Sequence, residues 1–191
     1  MGMVTVTAQG EQLRLRPFTA ADVTDYYELV ANQAIATPAG FTVAHSVTEA
    51  GFLLKQQLNL PQVFALELVA TGKVIGSVGL YERMNRYGEP APRQMDLGYM
   101  LNMDYWRRGM MTAAVRLIQQ YGFNELKLRR ITASCLADNL ASKLILEHGG
   151  FRQYDAVTHP DYAPFGAGQT ELFYECVGLA TTLGDEQNAT C

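Results

Sequence analysis

Residues 95–121 carry the pattern that most restricts what this chain can become: a strand feeding a glycine-bearing turn straight into a helix. Met95 to Leu101 reads as the strand. After Trp106-Arg107-Arg108-Gly109 the positions Met110, Ala114, Leu117, Ile118 and Tyr121 recur at helical spacing and form one apolar face. A helix that begins this way turns free N–H groups and the positive end of its dipole toward whatever docks at its first turn. Arg107 and Arg108 add charge, Thr112 adds a hydroxyl, and Gly109 lets an anion approach the main chain closely. These features suit a phosphate-bearing cofactor. The plain alternative is a helix starting at a glycine turn beside two solvated arginines, and so short a motif does not separate the two.

A second segment narrows the choice. Asp138-Asn139-Leu140-Ala141-Ser142-Lys143 opens another helix, which closes at Glu147-His148-Gly149-Gly150-Phe151. Together the two segments resemble the GNAT superfamily of acyl-CoA-dependent N-acetyltransferases. The first stands where that family has its pyrophosphate loop, Q/R-x-x-G-x-G/A. In the second, Asn139, Ser142, Gly150 and Phe151 match an Asn followed three residues on by Ala or Ser and then by Gly-Phe. Tyr-Trp before the loop, with Asp-Asn-x-Ala-Ser, is similar to the branch that acetylates the N-termini of ribosomal proteins. The resemblance runs from about Leu13 to Val177 and is specific for the superfamily, much less so for a substrate.

The resemblance implies acetyl-CoA as cosubstrate and an amine as acceptor. Its pyrophosphate falls to Trp106, Arg107, Arg108, Gly109, Met110, Met111 and Thr112. In the family fold the cofactor strand splays from its neighbour at a bulge, freeing main-chain groups for the pantetheine and thioester; here those groups belong to Met100, Leu101 and Asn102. Gly98 suits such an irregularity, or else packs against a bulky neighbour. The sequence also departs from the family. Trp106 replaces the usual Gln or Arg at the head of the loop, and Met111 replaces the second small residue. Leu146 stands where many members carry a tyrosine as general acid.

Acetyl transfer needs a gripped cofactor, a deprotonated amine, donors for the oxyanion and a proton for the departing thiolate. Asn139 can orient the pantetheine or cap its helix, or do both. Ser142 lies one turn before Leu146 on the same face. Its hydroxyl can serve the thiolate, or can be satisfied by the backbone like other first-turn serines. Asp96, at the start of the cofactor strand, and Glu82, at the end of the preceding one, are the base candidates; solvated strand-end carboxylates are the ordinary fate of both types. Water can also serve, because a terminal amine with a pKa of about 8 is partly neutral already. His159 is a further base candidate. Cys135 reads as a small core residue rather than a nucleophile. His45 and His148 lack metal-ligand spacing, so no metal is expected.

At 191 residues the chain fits one domain, expected over residues 1–180, with a flexible tail over 181–191. Its formal charge of -4 excludes a general nucleic-acid binder, for want of a basic stripe. No apolar run is long enough to span a bilayer and the N-terminus lacks a signal-peptide pattern. Three irregularly spaced cysteines, Cys135, Cys176 and Cys191, suggest neither a disulfide framework nor zinc. The expected setting is cytoplasmic. The expected partner is an amine, either a peptide N-terminus or a small molecule, with no nucleic acid or membrane; a homodimer is compatible with this.

The remaining elements follow from periodicity and caps. A strand is expected at Leu13 to Arg16, then a helix capped by Thr19 and running through Val30 on an inner face of Val23, Tyr26, Tyr27 and Val30. A loop is expected from Ala31 to His45. Ser46 with Glu49 forms a capping-box pattern for a helix to about Leu58. Strands follow at Val63 to Val69 and Lys73 to Tyr81 about a turn at Thr71-Gly72, then a loop from Met84 to Arg93. Later strands are Arg130 to Cys135, Arg152 to Tyr154 and Glu171 to Val177. This order gives an α/β (α+β), GNAT-like mixed and mostly antiparallel sheet with helices on both faces. The different-class alternative is a catalytically silent acetyl-CoA-binding regulatory domain, which would keep the pyrophosphate loop and lack the acid and base.

Overall fold

In a computed structural model the chain forms one eight-stranded sheet with helices on both sides, described for residues 4–85, 87–163 and 166–178. The strands are β1 (Val4–Ala8), β2 (Glu11–Pro17), β3 (Val63–Leu68), β4 (Val74–Met84), β5 (Pro90–Leu101), β6 (Arg130–Leu136), β7 (Arg152–Thr158) and β8 (Thr170–Val177). They lie in the order β1-β2-β3-β4-β5-β6-β8-β7. Every neighbouring pair is antiparallel except β5 and β6. The helices are α1 (Val23–Val30), α2 (Gln33–Ala36), α3 (Val47–Leu58), α4 (Met110–Asn124) and α5 (Leu140–His148). The tail expected over 181–191 lies outside the described residues.

Two cores sandwich the sheet. One gathers α4 and α5 against Leu13, Leu66, Val78, Leu80, Leu97, Leu101 and Ile131. The other gathers α1 and α3 against Val63, Ala65, Val74 and Met100. Alternation along the strands divides the apolar residues between them. On α4, Met110, Ala114, Leu117 and Ile118 are buried as their spacing requires, and Tyr121 packs beside them.

The caps formed where expected. Asn139 Oδ1 accepts from the Ser142 N–H at 3.1 Å and Ser46 Oγ from the Glu49 N–H at 3.2 Å. The Glu49 carboxylate reaches the His45 N–H, one residue before the cap, at 2.8 Å. The Thr19 helix begins as a 3-10 turn, Ala20–Asp22, before α1, and Leu29 joins Tyr26 and Val30 on its buried side.

Other expectations are corrected. A strand, β1, precedes the one expected first, joined to β2 by a two-residue turn in which Gln9 and Gly10 both have positive φ; such turns match the twist of a hairpin. Much of the expected loop from Met84 to Arg93 is strand, because β5 begins at Pro90 and its hairpin with β4 closes around Asn85, whose Oδ1 accepts from the Tyr87 and Glu89 N–H groups. The expected loop from Ala31 to His45 contains α2, capped by Asn32. β7 runs four residues past Tyr154.

Candidate active site

The site lies where the sheet opens. β5 and β6 pair only over Gln94–Asp96 with Arg130–Thr132, and beyond Asp96 β5 continues to Leu101 with no β6 ladder beside it. The register of β5 on β4 runs without a shift from Leu101 to Met95, so of the two readings of Gly98 the irregularity falls away. Gly98 instead makes room for Tyr81, whose Cε2 would lie 2.8 Å from an added Cβ.

Register also decides which main-chain groups face the opening. The Asn102 N–H donates to the Ile75 carbonyl at 2.8 Å. Hydrogen-bonded pairs alternate along an antiparallel ladder, so Met100 and Gly98 turn their main-chain groups to β4 as Asn102 does. Tyr99 and Leu101 therefore turn theirs to the opening. Of the three residues expected there, only Leu101 has this orientation, and its carbonyl already accepts the Trp106 indole N–H at 2.7 Å. Asn102 has another task. Its side chain caps the following turn through the Asp104 N–H, at 3.0 Å, and donates to Glu28 of α1 at 2.9 Å. Glu28 and Asp25 in turn hold Lys73, at 2.8 and 3.1 Å, so α1 is tied to the end of β5 just ahead of the loop at residues 106–109.

In that loop φ is positive at Arg107 and Gly109, at 61° and 67°, but not at Arg108 between them. A non-glycine residue held in this region is strained, and alternating backbone of this kind turns successive N–H groups to one side. The first intrahelical bond of α4 runs from Ala113 to Gly109, leaving the N–H groups of Met110, Met111 and Thr112 at the open end. Trp106, Arg107, Arg108 and Gly109 are exposed, and the Arg108 guanidinium lies over the Tyr105 ring. The side chains of Met110 and Met111 are 1% and 2% exposed and belong to the core. Met111 therefore faces away from the loop, and what these two residues offer a ligand is N–H.

Across the opening stands α5. Asn139 caps it through the Ser142 N–H, and the Ser142 side chain neighbours the Tyr99 phenol. Leu146 is fully buried in the core. The Tyr99 hydroxyl donates to the Ser142 main-chain carbonyl at 3.3 Å, and burial pushes the phenol well above its ordinary range. A cleft of about 510 Å³ runs between these elements, lined by Leu101, Trp106, Gly109, Thr112, Asn139 and Ser142 together with Ile35 and Pro38 from the α2 segment.

A second cavity of about 300 Å³, lined by Gly40, Phe41, Ser77, Tyr81, Asp96 and Gly98, shares Ala39, Tyr99 and Met100 with the first. Asp96 Oδ1 holds Arg83 at 2.8 Å and accepts from the Thr132 hydroxyl; Oδ2 makes no hydrogen bond among the described residues. Burial opposes the charge on Arg83, yet Asp96 and Tyr154 raise its pKa. Glu82 pairs with Met95 and Asp96 with Tyr81, so the two carboxylates occupy opposite faces of the sheet. Only Asp96 lines the cavity. Burial pushes Tyr81 up to about 12. His159 pairs with Glu171 at 2.8 Å. Burial, reinforced by Glu171, pushes the Cys135 thiol up to about 11, which disfavours a thiolate nucleophile.

Sequence reasoning missed Tyr99 and the α2 segment. Tyr99 had a legible signal in its alternation with Leu97 and Leu101; α2 had only the Asn32 cap.

Two clefts meet at a splayed pair of parallel strands, and one of them reaches a helix N-terminus. The family model "Acetyltransferase (GNAT) domain" matches residues 12–152, and the chain belongs to that family, acyltransferases whose cosubstrate is acetyl-CoA. The Probable N-acetyltransferase YjcK of Bacillus subtilis is 36% identical over 90 residues, which are 47% of this chain and about half of that protein (48%). The fold is shared with ribosomal-protein-S5-alanine acetyltransferase from Vibrio fischeri (TM-score 0.71, 19% identity, 92% of this chain and 97% of that one). It is shared too with spermidine N-acetyltransferase from Vibrio cholerae in complex with CoA and spermine (TM-score 0.71, 18% identity, 86% and 95%). Among the described residues no helix is long and apolar enough to cross a membrane, and no cluster of His, Cys, Asp or Glu is set to hold a metal.

Proposed function

We propose that the chain moves an acetyl group from acetyl-CoA directly to the α-amine of a polypeptide N-terminus. The observation that carries this reading is the meeting of the two cavities at Ala39, Tyr99 and Met100, one reaching the α4 N-terminus and the other the open oxygen of Asp96. The pyrophosphate sits on the N–H groups of Met110, Met111 and Thr112, flanked by Trp106, Arg107 and Arg108, with Gly109 allowing the approach. The pantetheine runs between Asn139 and β5, and the Leu101 N–H turns toward the thioester. The amine enters past Asp96, whose Oδ2 takes its proton. The amine nitrogen bonds to the carbonyl carbon, the C–S bond breaks, and the Ser142 hydroxyl passes a proton to the sulfur and regains one from water, to which Asp96 returns the proton taken from the amine.

Charge pairing favours a monoamine over a polyamine. Two carboxylates on the sheet face that continues from the second cavity already have cationic partners, Asp96 in Arg83 and Glu175 in Arg130 at 2.7 Å, and Glu171 is bonded to His159. A polycation would have to displace these partners one by one. An acetyl-CoA-dependent thiol-release screen against N-terminal peptides, polyamines and aminoglycosides tests this. Peptides should turn over, with no acetyl-enzyme seen by mass spectrometry in acetyl-CoA alone. Faster turnover of spermine than of any peptide would overturn the acceptor assignment.

The base is tested separately. Asp96→Asn should lose activity near neutral pH and regain it as pH rises toward the amine's own pKa of about 8, because the neutral amine then needs no acceptor for its proton. Glu82→Gln is the matched control from the other face and should stay near wild type across the same range. Rescue confined to the Glu82 variant would move the base there.

A further inference from the structure

Ser142 is held at both of its main-chain ends. Its N–H is taken by Asn139 at 3.1 Å and its carbonyl by the Tyr99 phenol at 3.3 Å, and its own hydroxyl, beside that phenol, is left out of the cap. The two anchors come from different places. Asn139 belongs to the same helix and moves with it. Tyr99 belongs to β5, and its bond is the only side-chain hydrogen bond from β5 to α5 among the described residues. Past Asp96 no ladder sets the distance across the opening. Tyr99 also stands where the two cavities meet.

We propose that Tyr99 is a positioning residue: its phenol braces the first turn of α5 against β5 and so aims the Ser142 hydroxyl at the departing thiolate. This rests on the reading of Ser142 as proton donor and extends it to a residue of the strand that leads into the first of the two segments. The phenol gives up no proton in the reaction. Its hydroxyl fixes a carbonyl, and the carbonyl fixes the turn. A donor misplaced by a fraction of an ångström loses much of its advantage in the transition state while the ground state still binds.

The test is a double-mutant cycle on kcat, with acetyl-CoA affinity measured by calorimetry on each variant. Tyr99→Phe keeps the ring and removes only the brace. It should lower kcat about tenfold in the wild-type background, with Kd for acetyl-CoA unchanged within about twofold. In a Ser142→Ala background the same substitution should cost less than about twofold, because no hydroxyl is left to aim. Equal losses in both backgrounds would overturn the proposal, as would wild-type kcat for Tyr99→Phe beside an impaired Ser142→Ala. A fully active Ser142→Ala would instead remove the proton-donor reading itself, and the proposal with it.

Discussion

A Gly109→Asp variant is expected to fold and to bind no measurable acetyl-CoA. Gly109 has φ of 67° and caps α4 without a side chain, and an added Cβ would meet nothing within 4 Å. Asp visits left-handed backbone more readily than most residues and is a favoured N-cap, so the fold has little reason to fail. The ligand has every reason to be excluded. The new carboxylate would sit at the open N–H groups of Met110, Met111 and Thr112 and compete for them. Two like unit charges about 4 Å apart at an effective dielectric near 20 repel by about 4 kcal/mol, roughly a thousandfold in Kd, and a pyrophosphate carries more than one. Arg107→Ala or Arg108→Ala alone should weaken binding only about two- to fivefold, since both side chains are exposed and screened. Calorimetry paired with circular dichroism decides this: a folded Gly109→Asp protein with unchanged affinity would remove the helix N-terminus as the anion site.

Ser142→Ala should lower kcat by about 10²- to 10⁴-fold, the usual worth of a general acid, with little change in cofactor affinity. The structure sharpens this expectation by separating it from helix capping. Asn139 caps α5, and the Ser142 hydroxyl bonds no backbone group among the described residues. Replacing it by alanine, a better helix former, should leave the melting temperature unchanged or slightly raised. Lost activity with retained stability would thus mark a role in the reaction. A loss below about tenfold would make water the proton source.

Much of the site was legible because its signals are local. Asn139 and Ser46 cap helices through bonds that close within one turn, and the Met110 to Tyr121 spacing forms one face whatever packs against it. The open end of α4 follows from the same logic, since a glycine that caps a helix leaves its first N–H groups open wherever that helix sits. Gly98 carried a weaker signal, because a glycine in a strand marks either an irregularity or a close neighbour. Only the Tyr81 ring beside it decides between the two.

By itself, then, the sequence determined the starts of α3, α4 and α5, the alternation of the strands and the two ordered segments that resemble GNAT enzymes. Tertiary structure alone decided which groups meet. Asp96 and Glu82 are equivalent as strand-end carboxylates until the β4–β5 register puts them on opposite faces, and a shift of one residue between the two strands would have put both on one face. The same parity turned Tyr99 and Leu101, rather than Met100 and Asn102, toward the opening. The Tyr99 phenol found Ser142 across 43 residues of chain because β5 and β6 part beyond Asp96. Local spacing sets what each segment is; register and strand separation are set by pairing between distant segments, which no single stretch of sequence contains.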